Sequence, residues 1–559
     1  MKGPTLHAAL DSIAARRPHV AISFPGQQTE LTLAALQADS RSIAARLHGL
    51  GVRNGDRIGT LCSNEPDFLL LLFALSRLGA CVCPLPLPVT SHSDYRAKVR
   101  GILNNAGIKT VALSPRMSRM RKLTDQALQG YQVISADDVR QAPSLMVQAG
   151  GHEVSGDQEI VLQYTSGSTA SPKGVRLTQA NVLAGMEAIR VGADLRPSDR
   201  SAIWLPLFHD MGLFGTLTAT LVGAPTTVWQ PSSFVKDPAY WLREIADGGH
   251  NVIAMPNFAY DYLVHAVPAD EAARYDLSRW RVAFNGAEPV AVDSVEAFLT
   301  HFGPAGFAPT AMFPVYGLAE ATLAATFPPL ERGPVFDWVD RAALAGQRVA
   351  VPASRTDPGA RGLVSVGRPV LGMSVRIADP GSDALLADRQ VGEVQLRGPS
   401  VTIGYAGDAA AAAPPFSADG WLRTGDLGYL AGEELYITGR IKEMIILRGA
   451  NYYPDDVECA VRGDPGVYRR RCVAFVHQTV ERESMALVAE TSRPAYEHDQ
   501  IAERLRVVIR SAIGLDDLMI KLAPPDSIPR TTSGKLQRLA SKDRFAGETP
   551  TTRRNDAHR

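Results

Sequence analysis

Residues 160–174 read Ile160-Val161-Leu162-Gln163-Tyr164-Thr165-Ser166-Gly167-Ser168-Thr169-Ala170-Ser171-Pro172-Lys173-Gly174. The apolar start predicts a strand, and the polar run after it predicts a loop leaving that strand's end. Between Thr165 and Gly174 this loop holds five Ser/Thr hydroxyls, two glycines and one lysine. Hydroxyl and backbone N–H groups can wrap phosphate oxygens, and a lysine adds positive charge. The glycines let the backbone come close to a ligand. The GxxxxGK[ST] order of a Walker loop is absent. Without a ligand, the same run reads as an ordinary polar loop.

Strand-like segments running into glycine turns recur further along. Trp280–Ala283 leads into Phe284-Asn285-Gly286-Ala287-Glu288-Pro289, and Val315-Tyr316-Gly317-Leu318-Ala319-Glu320 follows. An aromatic ring there can stack on a purine, and a carboxylate can hold magnesium on phosphates. Taken singly, each segment also fits a strand-to-helix turn with a capping acid. Trp421-Leu422-Arg423-Thr424-Gly425-Asp426-Leu427-Gly428 sets an aspartate in a glycine-framed turn, where it can accept both hydroxyls of a ribose. Gly439-Arg440-Ile441-Lys442-Glu443 comes next, and Pro529-Arg530-Thr531-Thr532-Ser533-Gly534-Lys535 puts a lysine on a loop near the end.

Around these segments the chain alternates between strand and helix periods. Val20–Phe24 predicts a strand, Thr32–Leu50 an amphipathic helix, Arg57–Cys62 a strand and Asp67–Leu78 a helix. Such alternation predicts α/β layers around largely parallel sheets. A length of 559 residues exceeds one core, since single cores stop growing near ~250–300 residues. Three places break the rhythm: Pro328–Arg361, read as an irregular insertion, the Ala/Pro-rich Ala409–Pro415, and Gly439–Glu443. After the last, strands are expected at Met444–Leu447, Arg471–His477 and Met485–Glu490, then a helix at Asp499–Ile513 and a polar, disordered tail. The expected division is therefore residues 1–438, a hinge at 439–443, a small domain at 444–546 and the tail at 547–559.

Composition excludes several classes. A net charge of +0 gives no electrostatic reason to expect nucleic acid or an anionic membrane. The longest apolar runs, such as Phe68–Leu75, are too short to span a bilayer, and the N-terminus lacks signal-peptide form. Five cysteines without a CxxC pair fit a reduced, cytoplasmic protein, with Cys81 and Cys83 as core residues.

Taken together, the quoted segments resemble the adenylate-forming superfamily of acyl-CoA synthetases, amino-acid adenylation domains and luciferases. The resemblance runs from about residue 5 to about residue 545 and rests on six motifs in family order. It implies a large N-terminal domain of layered α/β subdomains plus a small mobile α+β C-terminal domain. It implies that Thr165, Ser166, Gly167, Ser168, Thr169 and Lys173 hold the β- and γ-phosphates of ATP. Gly286, Ala287 and Glu288 would line the adenine pocket, with Tyr316 stacked on the ring beside Gly317. Glu320 would bind Mg2+, Asp426 and Arg440 would take the ribose, and Lys442 would be the hinge. Lys535 would reach the reacting carboxylate and α-phosphate, and His209 would sit beside the acyl carboxylate, with Met211, Phe214 and Met255 as candidate pocket walls.

Within the superfamily, Leu162–Thr169, Trp204-Leu205-Pro206-Leu207-Phe208-His209-Asp210-Met211-Gly212-Leu213, Tyr316–Thr322 and Ile441–Asp456 look most like the fatty acyl-AMP ligases. That branch implies a fatty or other carboxylic acid substrate and transfer to the phosphopantetheine thiol of a separate acyl carrier protein. The 328–361 stretch is the candidate for the insertion that hinders transfer to CoA in this branch. Lys173 departs from the branch, many members of which replace it. A CoA ligase or aryl-acid ligase of the same fold is the alternative, and a non-catalytic acyl-nucleotide-binding regulator a more distant one. Chain length, pathway and oligomeric state are open. Lys535→Ala is expected to lower the adenylation rate by several powers of ten while ATP still binds; single-turnover adenylate formation beside equilibrium nucleotide binding checks it, and a wild-type rate would refute the role.

Overall fold

The computed structural model describes residues 3–88, 92–143, 154–165, 173–407, 416–447, 450–478, 483–515, 518–530 and 536–545. Ser166, Gly167, Ser168, Thr169, Lys535, the Ala409–Pro415 loop and the tail from residue 546 lie outside the described residues. The chain folds as two compact units. The first comprises Met1–Pro334, Val366–Val375 and Leu396–Arg423; the second comprises Val335–Ser365, Arg376–Gln395 and Thr424–Arg559.

Two sheets organise the first unit. One has seven strands in the order Met312–Pro314, Val282–Gly286, Val252–Pro256, Ser201–Ile203, Thr226–Val228, Ala21–Phe24 and Thr29–Thr32. Its pairs are parallel except the last, a hairpin at the edge. The other has six strands in the order Gln132–Ile134, Thr110–Leu113, Arg57–Leu61, Cys81–Pro84, Glu159–Thr165 and Lys173–Thr178, again parallel but for the final pair. The alternation read along the sequence is thus realised as mainly parallel sheets, with the expected helices at Leu33–Gly49 and Pro66–Leu78. Pro66 opens the second of these, where its missing N–H costs nothing, and Gly79 closes it in the left-handed conformation at φ 67°. That helix buries nearly every side, which is why its sequence lacks a polar face. Cys81 and Cys83 are buried in the adjoining strand, as core residues should be.

In the second unit, a three-stranded sheet of Cys472–Gln478, Glu483–Glu490 and Leu518–Ala523 is packed by the helices Pro454–Val461 and His498–Ile513. The parallel pair of this sheet, Glu483–Glu490 with Leu518–Ala523, needs a crossover, and the amphipathic helix His498–Ile513 supplies it, burying Ile501, Leu505 and Ile509. Strand and helix positions here follow the sequence reading closely.

The stretch 328–361 departs from it. It is irregular only in part: Phe336–Asp340 and Ala360–Val364 pair as antiparallel strands, with a short helix, Arg341–Gly346, between them, while 347–359 has neither helix nor strand. These short elements stand among residues rich in Pro, Ala, Arg and Gly, so no strand or helix period runs through the stretch as a whole. Asp337 of this hairpin accepts a 2.7 Å hydrogen bond from the Tyr429 hydroxyl and pairs with Arg389 at 3.1 Å. Arg361 reaches Asp456 at 2.8 Å, donates to the Thr438 carbonyl at 3.0 Å and lies 4.5 Å from the centre of the Tyr453 ring. Arg341 meets the other oxygen of Asp456 at 3.0 Å.

Among the described residues no helix is long and apolar enough to cross a membrane. Arg361 is only 8% exposed, so removing its carboxylate partner strands a buried charge. Asp456→Ala is expected to destabilise the second unit by about 3–5 kcal/mol, read as a lowered midpoint in thermal or urea unfolding; an unchanged midpoint would show that Arg361 has no need of the pair.

Candidate active site

The hydroxyl-rich turn is the tip of a hairpin. Strand Glu159–Thr165 pairs antiparallel with Lys173–Thr178 in a register that sets Thr165 opposite Lys173 and Tyr164 opposite Gly174. Thr165 is half-buried and Lys173 exposed, at one end of the six-stranded sheet. Gln163, buried in the same strand, donates to the Phe208 carbonyl at 2.9 Å, which ties the strand end to the loop that carries His209.

A second backbone runs alongside this hairpin. Arg176 N–H donates to the Gly404 carbonyl at 3.0 Å and Ala406 N–H to the Gly174 carbonyl at 2.7 Å, while Val175 and Tyr405 bridge as antiparallel partners. The Thr402 hydroxyl donates to the Arg176 carbonyl at 2.6 Å, and Thr402 N–H donates to the Glu320 carbonyl at 2.7 Å. Tyr405 completes the arrangement: its hydroxyl donates to Glu320 Oε1 at 2.7 Å, and its ring centre lies 4.8 Å from Lys173 Nζ. Burial, with the Glu320 carboxylate beside it, pushes the Tyr405 phenol well above the ordinary tyrosine range, so it remains a donor. Lys173 and Glu320, far apart in sequence, are brought to one tyrosine.

Glu320 itself sits in the short turn Ala319–Ala321 after the strand Tyr316–Leu318. That strand pairs antiparallel with Leu323–Phe327, with its register shifted between Tyr316 and Gly317. A Cβ on Gly317 would lie 1.7 Å from the Leu323 carbonyl oxygen, so only glycine lets the strands close here. Thr322 and Leu323 both have positive φ, at 52° and 88°, and the Thr322 hydroxyl is anchored on the Ser400 carbonyl at 2.7 Å. Strain of this kind persists where surrounding contacts over-determine it, and it gathers at binding sites.

Gly286 ends the strand Val282–Gly286, where a Cβ would meet Val315 Cγ2 at 2.7 Å. Ala287 follows at φ 67°, and Glu288 turns back so that its Oε1 accepts from Phe258 N–H at 2.5 Å, in the first turn of the helix Asn257–Ala266. The Glu288 carboxylate thus serves as a helix cap. Tyr316 is half-buried.

His209 stands at the start of the helix Asp210–Val222, its Nδ1 2.6 Å from Asp210 Oδ1. The loop before it is hung on Asn64, whose side chain donates to the carbonyls of Leu205 at 2.9 Å and Trp229 at 2.7 Å and accepts from Leu207 N–H at 2.9 Å. Met211, Phe214 and Met255 are buried side chains.

In the second unit, Asp426 and Arg440 are cross-strand partners, with Arg440 Nε 2.8 Å from Asp426 Oδ1. Asp426 is buried and Arg440 largely exposed. Gly425, at φ 74°, turns the chain just before, and its N–H donates to Glu393 at 2.9 Å. Lys442 is exposed in the turn Ile441–Glu443 that follows. Glu443 is paired with Arg538, which also binds Glu458 at 2.8 Å and Asp455. Arg530 and Leu536 bridge across the loop that holds residue 535, closing its base.

Sequence reasoning missed Tyr405, Asn64 and Arg538. Asn64 and Arg538 stand at helix starts and read as caps or surface charges, and Tyr405 follows a glycine in a segment without period. Among the described residues no cluster of three or more His, Cys, Asp or Glu could cage a metal. Magnesium is ordinarily held by one or two carboxylates together with substrate phosphates, and a single carboxylate such as Glu320 fits that mode.

Lys173 and Glu320 thus meet at Tyr405 within the mainly parallel α/β layers of the first unit. Residues 10–406 match the AMP-binding enzyme family, and the chain belongs to it. The long-chain-fatty-acid–AMP ligase FadD32 of Mycolicibacterium smegmatis is 31% identical over 95% of this chain and 91% of that protein. The medium-chain-fatty-acid–acyl-carrier-protein ligase JamA of Moorena producens is 32% identical over 92% of this chain and 90% of its own. Among solved structures, one from work on fatty acyl-adenylate ligases of E. coli and L. pneumophila has a TM-score of 0.90 at 32% identity, covering 98% of both chains. The L. pneumophila ligase in complex with acyl adenylate and pyrophosphate has a TM-score of 0.75 at 27% identity, over 99% of this chain and 98% of that one.

Gly317→Ala is expected to cost at least about 1–3 kcal/mol, because the added methyl overlaps a backbone oxygen, and to abolish nucleotide binding with it. Thermal melting and equilibrium titration with ATP check both; a variant that melts and binds as wild type would refute the packing argument.

Proposed function

We propose that this protein activates a fatty acid as its acyl-adenylate, with release of pyrophosphate, and then passes the acyl group to the phosphopantetheine thiol of a separate acyl carrier protein. Adenylation is carried by one observation, the meeting of Lys173 and Glu320 at Tyr405 beside the hydroxyl-rich turn. The fatty-acid branch is supported by the substrates for which FadD32 and JamA are named, and the carrier protein by JamA.

In the first step the acid's carboxylate oxygen attacks the α-phosphorus, an acyl–phosphate bond forms and pyrophosphate leaves. In the second the thiolate attacks the acyl carbonyl, a thioester forms and AMP leaves. Such reactions need alignment of two anions and neutralisation of charge more than covalent help. Thr165, Lys173 and residues 166–169 bind the β- and γ-phosphates in this reading. Glu320 would hold magnesium, which would lower the charge on the phosphate oxygens. Gly286, Ala287, Gly317 and Tyr316 bound the adenine, with Glu288 bracing that turn from behind. Asp426, held by Arg440, accepts the ribose hydroxyls. His209, oriented through Nδ1 by Asp210, faces the acid's carboxylate, and Lys535 joins the reacting centre from the small domain. Lys442, in the turn Ile441–Glu443 within the second unit, is the pivot about which the residues that follow it would turn.

Pyrophosphate release with a panel of acids, followed by mass spectrometry of the adenylates, tests the first step. Alkanoic acids should support release and aryl and amino acids should not. Added phosphopantetheinylated carrier protein should then be acylated, whereas CoA should not. Acyl-CoA formed at a rate matching adenylation would overturn the branch, and ATP binding with no acid-dependent turnover would overturn the activity.

A further inference from the structure

We propose that Tyr405 is a positioning residue for the metal and the phosphates: its hydroxyl fixes the Glu320 carboxylate while its ring seats the Lys173 ammonium, so the two charges meet the triphosphate at a set separation. The inference rests on the roles of Glu320 and Lys173 proposed above and names a residue outside them.

Three features of the geometry carry it. The hydroxyl is 2.7 Å from Glu320 Oε1, within good hydrogen-bond range, and the phenol can only donate to a carboxylate. The same ring offers its face to Lys173 Nζ at 4.8 Å, within the range of cation–π attraction. The ring is itself anchored from both sides. Its backbone bridges Val175, and its neighbours Gly404 and Ala406 bond Arg176 and Gly174, so it is pinned to the strand that begins with Lys173. Thr402, three residues earlier, holds the Glu320 carbonyl at 2.7 Å. One five-residue segment therefore grips the main chain of Glu320 and of Gly174–Arg176, next to Lys173, and, through one planar side chain, both charged groups. A tyrosine has few rotatable bonds, so it loses little entropy in acting as such a gauge. A leucine or alanine would leave the flexible lysine and the carboxylate to find positions independently.

The proposal separates the two ends of the tyrosine. Binding of ATP to the full chain, without acid so that no turnover occurs, is titrated by calorimetry in EDTA and across a magnesium series. Tyr405→Phe keeps the ring and loses the hydroxyl. It should bind ATP in EDTA as wild type does, while the magnesium concentration for half-maximal enhancement rises roughly 10- to 100-fold, the usual effect of losing a partner of a metal ligand. Tyr405→Leu loses both ends and should in addition weaken metal-free binding by about threefold. Glu320→Gln serves as the reference. If it abolishes the magnesium dependence and Tyr405→Phe leaves that dependence at the wild-type value, the positioning role is wrong while the role of Glu320 stands. If Glu320→Gln leaves magnesium dependence unchanged, the assignment of Glu320 fails and the proposal falls with it.

Discussion

The run Thr402–Ala406 lies against strand Lys173–Thr178, and the hydrogen bonds between these two backbones are the constraint on which the site depends. Without them the hairpin Glu159–Thr165/Lys173–Thr178 would be the bare edge of a six-stranded sheet, and a hairpin edge alone does not fix a long loop at its tip. With them, the base of the loop is held on both sides. Thr402 and Tyr405 then extend the same attachment to Glu320, so that two segments separated by well over a hundred residues share one frame.

The second unit obeys a different logic, that of buried charge. Arg538 lies among Glu443, Asp455 and Glu458, and Arg361 and Arg341 converge on Asp456. Buried networks of this sort add little net stability compared with apolar packing, but each member is costly to lose. Their value lies in register. Glu443 adjoins Lys442, and Arg538 stands just after the loop that ends at residue 535, so one guanidinium relates the turn at 441–443 to the base of that loop.

Much of this was legible in the sequence, for stated reasons. Helices such as Leu33–Gly49 and His498–Ile513 have long amphipathic periods, and strands such as Glu483–Glu490 have apolar runs, so both were found within a few residues. The meeting of Glu320 and Lys173 at one side chain could not be read from either motif alone, since each segment also fits an ordinary turn. The hairpin Phe336–Asp340/Ala360–Val364 was not legible, because its strands stand apart among residues rich in Pro, Ala, Arg and Gly. Nor was Tyr405. Its importance lies wholly in which carboxylate and which ammonium it meets, and no local pattern encodes a partner 85 residues away. Glu288, expected to line the adenine pocket, also caps a helix through Phe258; in a strand-to-helix turn the two uses demand the same residue.

The polypeptide passes between its two compact units at 334/335, 365/366, 375/376, 395/396 and 423/424. Neither unit is therefore a contiguous cassette. Shortening the gene at the 439–443 turn would sever the second unit through its own strands, stranding Val335–Ser365 and Arg376–Gln395 without the partners that bury them. Fusion, domain exchange or circular permutation in this lineage must respect an interlaced path rather than a single join, and recombination between homologues would be expected to succeed only when several crossovers are inherited together.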